Sequence, residues 1–153
     1  MSDKQSVIDD YQAAYAEFRS SVDGLGEDQM ERPFLDVWSV REVVGHIAGW
    51  HDQMTLGLQR MAQGQRPTPE GVDWGDTQGF NARFAQDVSG TSPSELLRRL
   101  DIKVHEFIAA LQALPDDRFG EGKTVNRMAA GAGYEHFREH ADDINQARAE
   151  GKL

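Results

Sequence analysis

Apolar residues recur along this chain at intervals of three and four over four separate stretches, and that period restricts the fold more than any other feature. No segment shows the apolar–polar alternation of a strand. The expected class is therefore all-α, with four helices laid side by side as a bundle. The first stretch runs from Lys4 to Asp23, with Val7, Ile8, Tyr11, Ala14, Tyr15, Phe18 and Val22 at the repeating positions, and "DGLG" breaks it. The second opens where Ser39 and Glu42 have the spacing of a capping box, and Val40, Val44, Ile47, Met54 and Leu58 carry one face to Gln63.

Ser92, Pro93 and Glu95 open a third helix, whose stripe runs through Leu96, Leu97, Leu100, Val104, Phe107, Ile108, Leu111 and Leu114 to the stop at Pro115. The fourth starts near Thr124, with an inward stripe of Val125, Ala129, Ala132, His136, His140, Ile144 and Ala147. Between the second and third helices lies a long connection, residues 64–92, with one short amphipathic turn around Phe80 and Phe84. A connection of that length inside a small protein is more often functional, or a cover over a site, than idle.

A chain of 153 residues suits a single domain, 1–153, with a substantial core. The formal net charge of -10 opposes phosphate backbones and anionic lipid, so neither nucleic acid nor membrane is an expected partner. There is no cysteine, which removes disulfides, a thiolate nucleophile and sulfur ligands for a metal. The opening "MSDKQSVIDD" has no apolar segment and no later run reaches membrane-span length, so a cytoplasmic home is expected.

The chemistry lies in the histidines. His136 and His140 are one helical turn apart, flanked by Ala129, Ala132 and Gly133, which are too small to fill the space beside them. Two buried imidazoles need partners for both ring nitrogens; hydrogen bonds in a core provide them, or a metal satisfies one nitrogen on each. A bundle metal site needs a third ligand from a facing helix. Periodicity puts His51 in the middle of the second helix's stripe and His46 at its edge, near Val43 and Trp50. His105 falls opposite the leucine stripe of the third helix and is expected in solvent. "HFREH" also matches the H-x-x-E-H zinc-protease signature, with Glu139 as base, but only thirteen residues follow His140 and Glu139 falls on the side of Arg138 and Glu135. That match is coincidental. Asp142 and Asp143 are acidic and close to the histidines in sequence, and Asp143, three residues beyond His140, is at best a supporting partner.

Two segments carry a family resemblance. "WSVREVVGHIAGW" at 38–50 and "YEHFREH" at 134–140 resemble the paired histidine segments of the DinB/YfiT-like metal-binding bundles, and "PEGVDWGD", "FNARF" and "LPDDRF" resemble the DfsB/ClbS-type branch. Carried onto this chain, the resemblance implies metal ligands at His46, His136 and His140, with His46 rather than His51 as the third. It implies a DinB-like four-helix bundle binding nickel, zinc or a similar divalent ion, with open positions for water.

It also implies a metal-dependent transferase or isomerase acting on a small molecule with a low-molecular-weight thiol as cosubstrate. The DfsB/ClbS-type branch implies hydrolytic or sequestering protection against a reactive compound, with Trp74, Phe80 and Phe84 either shaping a pocket or packing over the bundle end. A non-enzymatic bundle, with a structural metal or none and a homodimer supported by Met61, is the third possibility. No catalytic side chain is identifiable from the residues.

Overall fold

The computed structural model describes residues 2–153. Its helices are α1 (Asp3–Val22), α2 (Glu27–Glu31), α3 (Val40–Ala62), α4 (Thr77–Asp87) and α5 (Pro93–Gln112). After a 3-10 turn at Asp116–Arg118 come α6 (Thr124–Met128), a π turn (Ala129–Tyr134) and α7 (Glu135–Ala149). Among the described residues the only pairing of strand type is one isolated bridge between Leu35 and Trp38. The chain is all-helical, as its periodicity requires.

The expected count of four helices is too coarse, because α2 and α4 are helices in their own right and the last rod comes in three pieces. The Phe80–Phe84 pair belongs to a full helix of 11 residues, capped by the Asp76 carboxylate accepting from the Gly79 N–H at 3.1 Å. Much of the expected connection is therefore α4, which lies on α3. Gly49 makes that seat: a Cβ there would stand 2.3 Å from Phe84 Cγ. Phe80 and Phe84 then pack on Trp50, at ring separations of 5.1 and 5.4 Å.

The other starts follow the sequence. Ser2, Ser39 and Ser92 each accept from the N–H three residues on, at 3.1, 3.3 and 3.2 Å, satisfying an end donor for about 1 kcal/mol per cap. Neither expected box closes, since Glu42 accepts from the Ser39 hydroxyl and Glu95 binds Arg98 and Arg99.

The core runs through Tyr11, Phe18, Ile47, Leu100, Phe107 and Phe137, where α3 lies against α5 and α1 against α7. The π turn determines which residues of the last rod reach it. A π turn holds one extra residue, so the stripe that enters as Val125, Ala129 and Ala132 leaves shifted by one, through Phe137, Ala141 and Ile144. His136 and His140 were expected at the stripe's centre and stand instead at its border, roughly 100° round the helix from Phe137 and Ala141 respectively. Gly133 permits the distortion, because a Cβ there would meet Tyr11 Cδ2 at 2.5 Å. Met61, expected on an exposed face, is buried with Leu58 and Met54 and offers nothing to a second copy.

Candidate metal centre

His46 on α3 faces His136 and His140 on α7, and one ring nitrogen from each lies within 4.8 Å of the other two. The Nε2 atoms of His46 and His136 are 2.9 Å apart, and the His136 and His140 ring centres are 4.6 Å apart. Two nitrogens bound to one ion at about 2.1 Å each stand about 3 to 3.5 Å apart, so the spacing is close to that of a ligand set.

His51 is not among them. It is fully buried; its Nδ1 donates to the Ile47 carbonyl at 2.9 Å, and its Nε2 accepts from the Tyr11 hydroxyl at 2.7 Å. Both ring nitrogens are thus taken within the core. His105 is exposed and bonded to the Asp101 carbonyl, and Glu139 is exposed, as read from the sequence.

The proton on His46 is located by a neighbour. The Trp50 indole N–H, which can only donate, meets Asn81 Oδ1 at 3.0 Å, so that atom is an acceptor oxygen. His46 Nδ1 meets the same oxygen at 2.9 Å and must carry the hydrogen. Its Nε2 is then a bare lone pair aimed at His136. Asn81 orients the ring as outer partners of metal-bound histidines do.

As a neutral ring, the form that burial favours, His136 cannot satisfy both its nitrogens from the protein alone. If Nε2 donates to His46, Nδ1 becomes a buried lone pair beside the Ala132 carbonyl one turn back, and that Nδ1 has no full hydrogen bond. If Nδ1 carries the proton, two lone pairs meet at 2.9 Å. A positive ion on the Nε2 side removes the conflict, because both lone pairs then point at it.

His140 Nδ1 is likewise buried without a hydrogen bond, 4.0 Å from Asp143 Oδ2. Burial lowers the pKa of His46; burial and then the neighbouring His140 and His46 push His136 down to about 2; burial and then His46 push His140 down to about 4. All three rings are neutral near neutral pH, the form that ligates a metal. The residues present fit a divalent ion.

A cavity of about 620 Å³ opens beside the cluster, with His46 and His136 in its wall. Trp74 and Trp50 line it, together with Met54 and Met128. Of the aromatics in the expected connection, Trp74 shapes the pocket while Phe80 and Phe84 pack beneath α4. Sequence reading missed Asn81 and Trp50 as partners that hold the His46 ring. The only available signal was the helical i, i+4 spacing of Phe80 and Phe84, which places Asn81 on a helix rather than in a loop.

A helical scaffold gathers three neutral histidines beside an apolar cavity as a candidate metal centre, and the chain belongs to the DinB superfamily, whose family model matches residues 10–143. Among curated proteins no sequence match is found. Solved structures are similar throughout. ClbS, a colibactin self-resistance protein crystallised with a double-stranded DNA, aligns with a TM-score of 0.81 and 18% identity over 95% of this chain and 94% of its own. DfsB, a sibling lethal factor precursor, aligns with 0.81 and 16% over 100% and 98%. An uncharacterised protein from Escherichia coli UTI89 aligns with 0.83 and 17% over 98% and 95%.

The ClbS structure overturns one expectation. Nucleic acid was excluded on net charge, yet a protein of this fold is solved on DNA. Net charge sums the whole surface, whereas binding depends on the potential of one face. Among the described residues no helix is long and apolar enough to cross a membrane.

Proposed function

We propose that this protein, acting as one domain on a DinB-type four-rod frame, binds a divalent transition metal through His46, His136 and His140 and uses it on a small molecule held in the adjoining cavity. The His46–His136 contact carries the proposal: two imidazole nitrogens at 2.9 Å that no pair of neutral tautomers satisfies on both rings, while burial opposes the charged form. Three imidazoles suit nickel or zinc. Neutral ligands leave the ion's charge uncompensated, and such an ion supplies a Lewis acid that brings the pKa of a water or a low-molecular-weight thiol toward neutrality.

The chain's own residues prepare the place. Asn81 and Trp50 hold the His46 ring with its lone pair inward. Trp74, Met54 and Met128 keep an apolar wall beside it. The reaction class is thiol transfer or isomerisation on an electrophilic small molecule. A second reading, protection by hydrolysis or sequestration of a reactive compound, is favoured by the likeness to ClbS, a self-resistance protein.

Elemental analysis of the purified protein beside His46→Ala and His51→Gln is the test. One equivalent of nickel or zinc is expected in the wild type and in His51→Gln, and none in His46→Ala. Metal retained in His46→Ala would overturn the ligand set. Turnover of electrophiles with and without added thiol then separates transfer from hydrolysis.

A further inference from the structure

The cavity changes character along its length. Its buried wall is apolar, through Met54, Met128 and Ala132, whereas its exposed rim carries Thr77 and the guanidinium of Arg127. Arg127 is held at that rim by bonds to the Gly122 carbonyl at 2.9 Å and the Thr124 hydroxyl at 3.3 Å. Those bonds occupy two of its five N–H donors. Among the described residues no carboxylate lies within ion-pair distance of it, although ion pairs hold Arg19, Arg98, Arg99 and Arg138 elsewhere.

The chain has 26 aspartates and glutamates, and none of them lines this cavity. A strongly acidic protein has thus kept one concave surface free of negative charge. That surface has neutral imidazoles in its wall and a fixed cation at its rim.

We infer that the cavity takes an amphipathic anion: an apolar, preferably aromatic body between Trp50 and Trp74, with a single carboxylate or sulfonate held by Arg127 at the mouth. Its reactive end then lies toward His46 and His136. A cavity of about 620 Å³ accommodates a body of drug size. The guanidinium offers a planar fork matched to a carboxylate, and the Thr124 hydroxyl beside it supplies a further donor. A neutral molecule of the same shape would fill the apolar wall and leave Arg127 facing water. The inference rests on the cavity being the substrate site, and it is testable apart from the metal.

Calorimetric titration of metal-depleted protein with naphthylacetate and with its neutral isostere naphthylacetamide provides that test. The acid is expected to bind about tenfold more tightly than the amide, the value of one charge-assisted hydrogen-bonded contact. Arg127→Gln is expected to bring the acid down to the affinity of the amide and to leave the amide unchanged; Arg127→Glu reverses the order. Trp74→Ala weakens both.

Equal binding of acid and amide by the wild type overturns the inference, as does binding of neither. A preference for the acid that appears only after zinc is restored, and survives Arg127→Gln, also overturns it by placing the carboxylate at the histidines. In that event the metal site still stands. Metal-free purified protein with the Arg127-dependent preference intact would instead remove the metal reading and keep the cavity's.

Discussion

Four of the five histidines lie between α3 and the last helical rod, yet they form two unlike neighbourhoods. His51 sits in a closed one: Tyr11 and the Ile47 carbonyl satisfy both its nitrogens, and Phe107 and Phe137 pack against it as tilted rings with centres 5.2 Å away. His46, His136 and His140 sit in an open one, where buried Nδ1 atoms on two rings lack partners and a cavity adjoins. A buried polar group with all its bonds made strengthens a core, and one without them calls for a ligand. The difference teaches that burial alone does not separate a satisfied core histidine from a candidate ligand. Completeness of hydrogen bonding does.

The strongest way to break this contrast is to truncate one histidine in each neighbourhood. His51→Ala removes a packed ring and leaves the Tyr11 hydroxyl buried without its acceptor, at an expected cost of about 4 kcal/mol, a fall in Tm of about 10 °C. His136→Ala removes a ring whose Nδ1 has no full hydrogen bond and whose Nε2 meets only the His46 nitrogen, so the stability of metal-depleted protein is expected to change by about 1 kcal/mol, well below the His51→Ala cost. Thermal melts of the two metal-depleted variants check this. A larger loss in His136→Ala than in His51→Ala would erase the distinction.

Acid sharpens it next. Burial lowers His51 from 6.5 to about 4, so the unfolded chain takes up a proton that the folded chain refuses. Stability from this group is complete above pH 6.5 and falls as the pH drops toward 4, by about 3 kcal/mol. His136 and His140, also lowered, act in the same direction. Urea midpoints of metal-depleted protein at pH 7 and pH 4.5 are expected to differ clearly, and by less in His51→Gln. A wild-type midpoint independent of pH would contradict the closed assignment.

The smallest effect on stability is the most specific. Asn81→Ala frees the His46 ring to take either tautomer and is expected to weaken metal binding about 10- to 100-fold, with the melting temperature of metal-depleted protein nearly unchanged. Competition titration with a chelating dye measures it. Unaltered affinity would show that Asn81 does not orient His46.

Much of this was legible in the residues. The stripes of α1, α3 and α5 were readable because each is long and regular, and burial of one face dominates every other local preference. Ser39 and Ser92 marked their starts because a cap is a local event. The resemblance of "WSVREVVGHIAGW" and "YEHFREH" selected His46, where periodicity favoured His51. Periodicity was correct about burial, since His51 is the more central of the two. It could not report that Tyr11, forty residues away in sequence, had already claimed His51's free nitrogen.

By itself, the sequence determined that the chain is helical, where its long helices begin, and that two histidines one turn apart share a helix face. These follow from backbone period and capping, which act over a few residues. Only the tertiary structure decided the rest. The π turn at Ala129–Tyr134 moved His136 and His140 from the core line to its border, because Gly133 lets Tyr11 approach where a side chain would clash. The packing of α4 on Gly49 brought Asn81 to His46. Both depend on surfaces that come together only on folding. The chain supplied the histidines, and packing determined which of them were left with a free lone pair.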